Sequence, residues 1–150
     1  MRAFAVATLL LFAAGPASAS AGFWCDIDDD AVLMSVEGGL SRGIPGPPFN
    51  FVGSLAVKMR GVPADLREVA LTGDDLAQSW LDADEIRLQI YRERAEGLFA
   101  SVDLVIETTI DPEDELTYSG TYTLVTSEMA EGASEAAAVT ATGAVTCSAG

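Results

Sequence analysis

The residues with the most specific spacing for chemistry lie in an acidic stretch near the start of the chain. Asp26, Asp28 and Asp30 alternate with other residues, and Glu37 follows at the twelfth position counted from Asp26. Ca²⁺ prefers several carboxylate oxygens, and alternate side chains of a curved loop can converge on one cation. The stretch therefore predicts a weak calcium site.

This window resembles the calcium-binding loop of an EF-hand. Aspartates stand at its positions 1, 3 and 5, the apolar Leu33 at position 8 and Glu37 at position 12. The resemblance implies Ca²⁺ ligation by Asp26, Asp28, Asp30 and Glu37. The other interpretation is an acidic turn, because Val32, Met34 and Val36 form the alternating pattern of a strand. No other cofactor is expected.

The two cysteines, Cys25 and Cys147, lie near opposite ends of the chain. An even number of cysteines in an exported protein predicts a disulfide, and both residues continue the inward rows of their strands. The alternative is a pair of free or redox-active thiols, although the chain contains no Cys-x-x-Cys motif. A disulfide between the first and last strands slightly favours a closed barrel.

The inventory of residue types excludes most catalytic chemistry. The chain contains no histidine, and Lys58 is its only lysine. Ser-His-Asp, Cys-His and histidine-based metal sites are therefore absent, and Schiff-base chemistry has one weak candidate. Pairs of carboxylates remain, which makes a carboxylate-based hydrolase an alternative function. We expect a protein that is not an enzyme.

A long hairpin between residues 85 and 109 is the predicted centre of the fold. Ile86, Leu88 and Ile90 alternate with polar residues, and a second alternating run begins at Leu98. A polar loop over residues 93–97 predicts a register that pairs Ile90 with Ala100. The same register pairs Leu88 with Val102, Arg87 with Asp103 and Tyr91 with Phe99.

The outward face of this hairpin is a candidate binding patch. It contains Tyr91, Phe99 and Val105 beside Arg87 and Arg92. An apolar patch with a charged rim is typical of docking surfaces. In the alternative interpretation, a loop or Trp80 covers the patch, or the aromatic pair only stabilises the strand register.

The remaining chain predicts an all-β fold of about seven or eight short antiparallel strands, in a small barrel or a sandwich. Turn signals recur about every ten residues, and no long amphipathic helix is present. Residues 66–71 and 76–81 are ambiguous between strand and helical turn. Four inward aromatic residues suggest a barrel cavity for an apolar ligand, which makes a small-ligand carrier another alternative: Phe49, Phe51, Tyr118 and Tyr122.

Residues 1–21 are predicted to be a cleaved signal peptide, with Arg2, an apolar stretch and a small-residue ending. The single mature domain, residues 22–150, then carries 7 basic and 23 acidic residues, a formal charge of −16, since the signal contains one basic and no acidic residue. Such a charge repels nucleic acid and anionic lipid and attracts basic proteins or peptides. We expect a periplasmic or secreted interaction module without membrane insertion after cleavage.

Overall fold

A computed structural model describes residues 20–41 and 46–150. The predicted signal peptide, residues 1–21, falls outside the described residues except for residues 20 and 21, which begin the first strand. The described strands are β1 (Ser20–Asp28), β2 (Val32–Ser41), β3 (Phe49–Val57), β4 (Glu68–Thr72), β5 (Leu76–Leu81), β6 (Glu85–Glu93), β7 (Ala100–Asp111), β8 (Asp114–Glu128) and β9 (Ala137–Ala149).

These nine strands form one antiparallel sheet in the order β4-β3-β2-β1-β9-β8-β7-β6-β5, which curls into a nearly closed barrel. The predicted all-β class is confirmed. Inward residues alternate with exposed ones along most strands because successive side chains of a strand point to opposite faces. The inward rows form one hydrophobic core, whose largest fully buried side chains include Phe23, Leu104, Ile106, Tyr122 and Leu124.

The strands β4 and β5 are two halves of one extended run. Every neighbouring pair in the sheet is antiparallel, so β4 and β5, at the two ends of the strand order, run in the same direction. Only the 3₁₀ turn Gly73–Asp75 separates them, and a parallel pair would require a crossover of about a dozen residues. The run therefore continues past the turn: its first half pairs with β3 and its second with β6.

The predicted disulfide is confirmed. Cys25 in β1 lies directly opposite Cys147 in β9, and both side chains are buried. The bond joins residues separated by 122 positions in sequence. The expectation that the first and last strands are neighbours is confirmed as well, because β1 lies between β2 and β9.

The central hairpin forms, but its predicted register is wrong. Ile90 pairs with Leu104 rather than Ala100, and Arg87 pairs with Glu107 rather than Asp103, a displacement of four residues. An even displacement keeps the same side chains inward, so the apolar pattern cannot distinguish the two registers. The length of the loop sets the observed register. The backbone N–H of Arg94 donates to the Ala100 carbonyl over 2.8 Å, and Leu98 lies outside the strand pairing.

Candidate functional site

The acidic window forms a β-hairpin instead of a calcium loop. β1 extends through Asp28 and β2 begins at Val32, so Asp26 and Glu37 lie on separate strands, opposite Ser35 and Trp24. Strand pairing stretches the window along the sheet, and among the described residues no group of three potential ligands is arranged to hold a metal ion. The residues Asp26, Asp28, Asp30 and Glu37 therefore do not form an EF-hand loop in this structure.

Asp29, which is not one of the predicted calcium ligands, stabilises the turn between β1 and β2. Asp29 accepts hydrogen bonds from the backbone N–H groups of Ala31 and Val32, each 2.8 Å long. Its second carboxylate oxygen accepts the hydroxyl of Tyr122 over 2.6 Å. Burial opposes ionisation of Asp29, but the Tyr122 hydroxyl and the two backbone donors outweigh it and hold the pKa below its usual value. The turn is thereby tied to β8.

An ion pair connects β6 with β4 and with the turn that follows β4. Arg92 of β6 donates two hydrogen bonds to Asp75, from Nε over 2.5 Å and from Nη2 over 2.7 Å, and a third to the Ala70 carbonyl of β4 over 2.8 Å. Burial opposes ionisation of Asp75, but Arg92 and the Thr72 backbone N–H outweigh it and lower the pKa. Arg92 thus bridges the gap that strand pairing leaves.

The structure brings two residues of the predicted binding patch together with Trp80. Arg87 and Val105 line a shallow groove of about 300 Å³ on the outer face of β5, β6 and β7. The Trp80 side chain forms one wall and remains 61 % exposed, the largest exposed fraction among the exposed large hydrophobic residues. Gln89 of β6 also lines the groove, and its side-chain amide donates to Asp103 of β7. Trp80 therefore extends the patch instead of covering it.

The other two patch residues lie apart from this groove. Tyr91 pairs with Asp103 and donates its hydroxyl to Glu93 over 2.9 Å. Phe99 lies in the loop before β7 and is 39 % exposed. Four residues along a strand correspond to about 13 Å, so the predicted Tyr91–Phe99 pair does not form. Its absence follows directly from the register.

Carboxylates surround the exposed indole. A depression beside Trp80 is lined by Asp82, Asp84 and Glu85 together with Arg87, which pairs with Glu85 over 3.0 Å. Asp82 accepts hydrogen bonds from the backbone of Asp84 and from the indole N–H of Trp80, and these donors hold its pKa below the usual value. The depression therefore presents negative charge and an aromatic face together.

The aromatic residues proposed to line a cavity are divided between core and surface. Phe51, Tyr118 and Tyr122 are buried in the hydrophobic core, whereas Phe49 is 42 % exposed. The rings of the first three pack among other inward side chains of the sheet. Their positions are those of ordinary core residues.

Sequence reasoning missed Trp80 as a site residue and placed Arg92 beside the outward patch, whereas its side chain binds Asp75 and the Ala70 carbonyl. One signal was available: Arg92 continues the inward row of Ile86, Leu88 and Ile90, and a charge on such a row requires an internal partner. The exposure of Trp80 had no local signal, because residues 76–81 fit a strand or a helical turn.

No helix among the described residues is long and apolar enough to cross a membrane. The disulfide is compatible with a secreted or periplasmic protein. No family model matches the sequence, and no curated protein or solved structure matches the chain.

Proposed function

We propose that this protein is an exported, non-catalytic interaction module that binds a basic segment of another protein on the outer face of β5, β6 and β7. The observation that carries the proposal is Trp80, whose indole is 61 % exposed beside a groove on a strongly acidic molecule. A large exposed aromatic side chain with a polar rim is typical of the anchor positions of protein interfaces.

The groove has the chemistry to hold a lysine or arginine side chain. The apolar stem of such a side chain packs on Trp80 and Val105, while its charge lies near the carboxylates of Glu107 and Asp82. A cation over an indole face adds about 0.5–1 kcal/mol at an exposed site. The positive charge of Arg87 is paired with Glu85, so it does not repel the ligand at full strength.

The charge of the whole domain supports the same partner class. The mature chain has a formal charge of −16 if residues 1–21 are removed. Complementary charge accelerates the encounter with a basic partner and opposes binding of nucleic acid. The disulfide and the predicted signal peptide both support export, so the partner is expected among periplasmic or secreted proteins.

The test compares the two tryptophans of the chain. A labelled peptide of alternating lysine and valine is titrated into residues 22–150, with a glutamate–valine peptide as the charge control. We expect Trp80→Ala to weaken binding about tenfold. Trp24→Ala is the matched control, because Trp24 is 46 % exposed but lies on β1, outside this groove.

Salt adds a second measurement to the same titration. We expect an increase from about 0.02 M to about 0.3 M salt to weaken binding of the lysine peptide strongly. Equal effects of the two tryptophan substitutions, or failure of the lysine peptide to bind at low salt, would overturn the proposal.

A further inference from the structure

We infer that the free edge of β5 is the place where an extended, lysine- or arginine-bearing segment of the partner pairs with this protein as an additional strand. The inference rests on the proposed function and specifies how the partner binds. It begins from the pairing of β5, which has β6 on one side only. Within residues 20–41 and 46–150, the backbone of residues 77–81 makes no hydrogen bond on its other side.

The sequence of β5 leaves this edge accessible. The strand reads Leu-Ala-Gln-Ser-Trp-Leu and contains no proline and no charged residue. Natural edge strands usually carry such residues because they prevent unintended pairing. Ala77, Gln78 and Trp80 are exposed. An uncharged, exposed edge is the arrangement in which a partner strand adds to a sheet.

The other edge of the sheet is protected in a way that β5 is not. The Ala70 carbonyl of β4 accepts a hydrogen bond from Arg92, whose guanidinium also holds Asp75. A side chain from β6 therefore contacts the free side of β4 and satisfies the Ala70 carbonyl there. The two edges belong to one run of the chain, yet only the second half is left without a partner in the described structure.

Charge at the ends of β5 selects the occupant. Asp74 precedes the strand and Asp82 and Asp84 follow it, whereas Asp75 is already paired with Arg92. Antiparallel pairing of two copies would place Asp74 at the start of one β5 against the aspartates at the end of the other, which is repulsive. Basic residues at both ends of an incoming strand would instead form ion pairs.

The edge also adjoins the groove described above. Gln78 and Trp80 are outward-facing residues of β5 and line that groove. Outward side chains of an added strand would lie directly beside them, since cross-strand neighbours are about 5 Å apart. One extended segment can therefore use the backbone edge for affinity and Trp80 for side-chain contact.

The experiment uses two peptides on the oxidised domain, residues 22–150. The parent peptide has alternating valine and threonine with lysines at both ends. Its analogue carries N-methyl groups on consecutive backbone nitrogens, so that neither edge of the peptide can donate strand hydrogen bonds. The charge of the peptide does not change. We expect the parent to bind about tenfold or more tightly than the analogue and to slow hydrogen exchange of the amides in residues 77–81.

A matched pair of protein variants localises the contact. Gln78→Lys adds a positive charge on β5 and is expected to weaken binding of the parent peptide about tenfold. Ser54→Lys adds the same charge at an exposed position of β3 and is expected to have little effect.

The outcomes separate this inference from the proposed function. Equal binding of the parent and the N-methylated peptide would overturn strand addition while leaving a basic-segment binder intact. Failure of both to bind, together with the lysine–valine peptide, would overturn the proposed function itself. Concentration-dependent protection of residues 77–81 without peptide would show that a second copy occupies the edge and would also overturn the inference.

Discussion

Two regions hold the nearly closed barrel together by different means. Between β1 and β9, four residue pairs from Phe23–Ala149 to Asp26–Thr146 form a backbone ladder around the Cys25–Cys147 bond. Between β4 and β6, no strand pairing exists, and Arg92 makes the connection through Asp75 and the Ala70 carbonyl. The first closure is covalent and independent of pH, whereas the second depends on an ionised carboxylate.

This difference contrasts a structural side of the barrel with the side that we propose for binding. The contact between β1 and β9 around the Cys25–Cys147 bond, the cystine closure, leaves no unpaired strand edge along its four residue pairs. The closure through Arg92 contacts β4, and within the described residues the continuation of the same run, β5, has no strand on its other side. In the proposed function, this unpaired edge is the place where the partner binds.

Removal of the disulfide should have the largest effect on stability. For the double variant Cys25→Ala/Cys147→Ala, we expect a loss of about 4–5 kcal/mol as an upper figure, because the bond restricts a long loop in the unfolded chain. Urea unfolding of the variant and of the reduced wild type measures this loss. A loss below about 1 kcal/mol would show that the β1–β9 ladder closes the barrel without help.

Breaking the ionic closure should have the second largest effect. Asp75→Asn leaves Arg92 without its charged partner at a site where the Asp75 side chain is only 6 % exposed, so we expect a loss of about 2–3 kcal/mol at neutral pH. Glu85→Gln is the matched control, because the exposed Glu85–Arg87 pair is expected to contribute less than about 0.5 kcal/mol.

The same variant makes the ionic closure testable by pH. The pKa of Asp75 is lower in the folded protein than its ordinary value of 3.8. Its stabilising contribution is therefore complete above the unfolded pKa and disappears as the pH falls through the lower, folded value. We expect the difference in unfolding free energy between wild type and Asp75→Asn to shrink below about pH 4. A constant difference down to pH values near 2 would contradict this origin.

Tyr122→Phe should have a smaller effect, on the side of the cystine closure. The Tyr122 hydroxyl donates to Asp29 and fastens the β1–β2 turn to β8. Gly143 of β9 lies opposite Tyr122 and lacks a side chain that would contact both partners. We expect a loss of about 1 kcal/mol in thermal or urea unfolding. Tyr91→Phe removes a more exposed hydroxyl and should change stability less; equal losses would contradict a special role for the Asp29 bond.

Trp80→Ala should have the smallest effect on stability, within about 0.5 kcal/mol, because its side chain is mostly solvent-exposed. Its effect should appear in binding, as the titration above measures. A large loss of stability from this substitution would instead assign Trp80 a packing role and weaken the contrast between a structural and a binding side.

The local sequence pattern predicted those features of the fold that depend on residues close together in the chain. The alternation in Ile86, Leu88 and Ile90 predicted a strand and its inward face, and both are observed. The register was not accessible, because a displacement by four residues leaves the same side chains in the core. In the observed register Tyr91 lies opposite Asp103 instead of Phe99, and Val105 lines the same groove as Trp80.

The acidic segment forms a hairpin instead of a calcium-binding loop for a related reason. Aspartates at alternating positions fit both a cation-binding loop and the outward face of a strand, because both place every second side chain on one side. Pairing of β1 with β2 over residues 20–28 and 33–41 selected the strand. Asp29, at the turn itself, holds the turn backbone and the Tyr122 hydroxyl, and Asp28 pairs with Lys58 over 3.2 Å.

The sequence by itself determined the all-β class, the inward rows and the disulfide, since these follow from alternation within a strand and from the presence of only two cysteines. The tertiary structure decided the strand register, the closure through Arg92 and the exposure of Trp80. These features depend on which distant backbone lies beside each strand, and an amino-acid pattern with a period of two does not specify that partner.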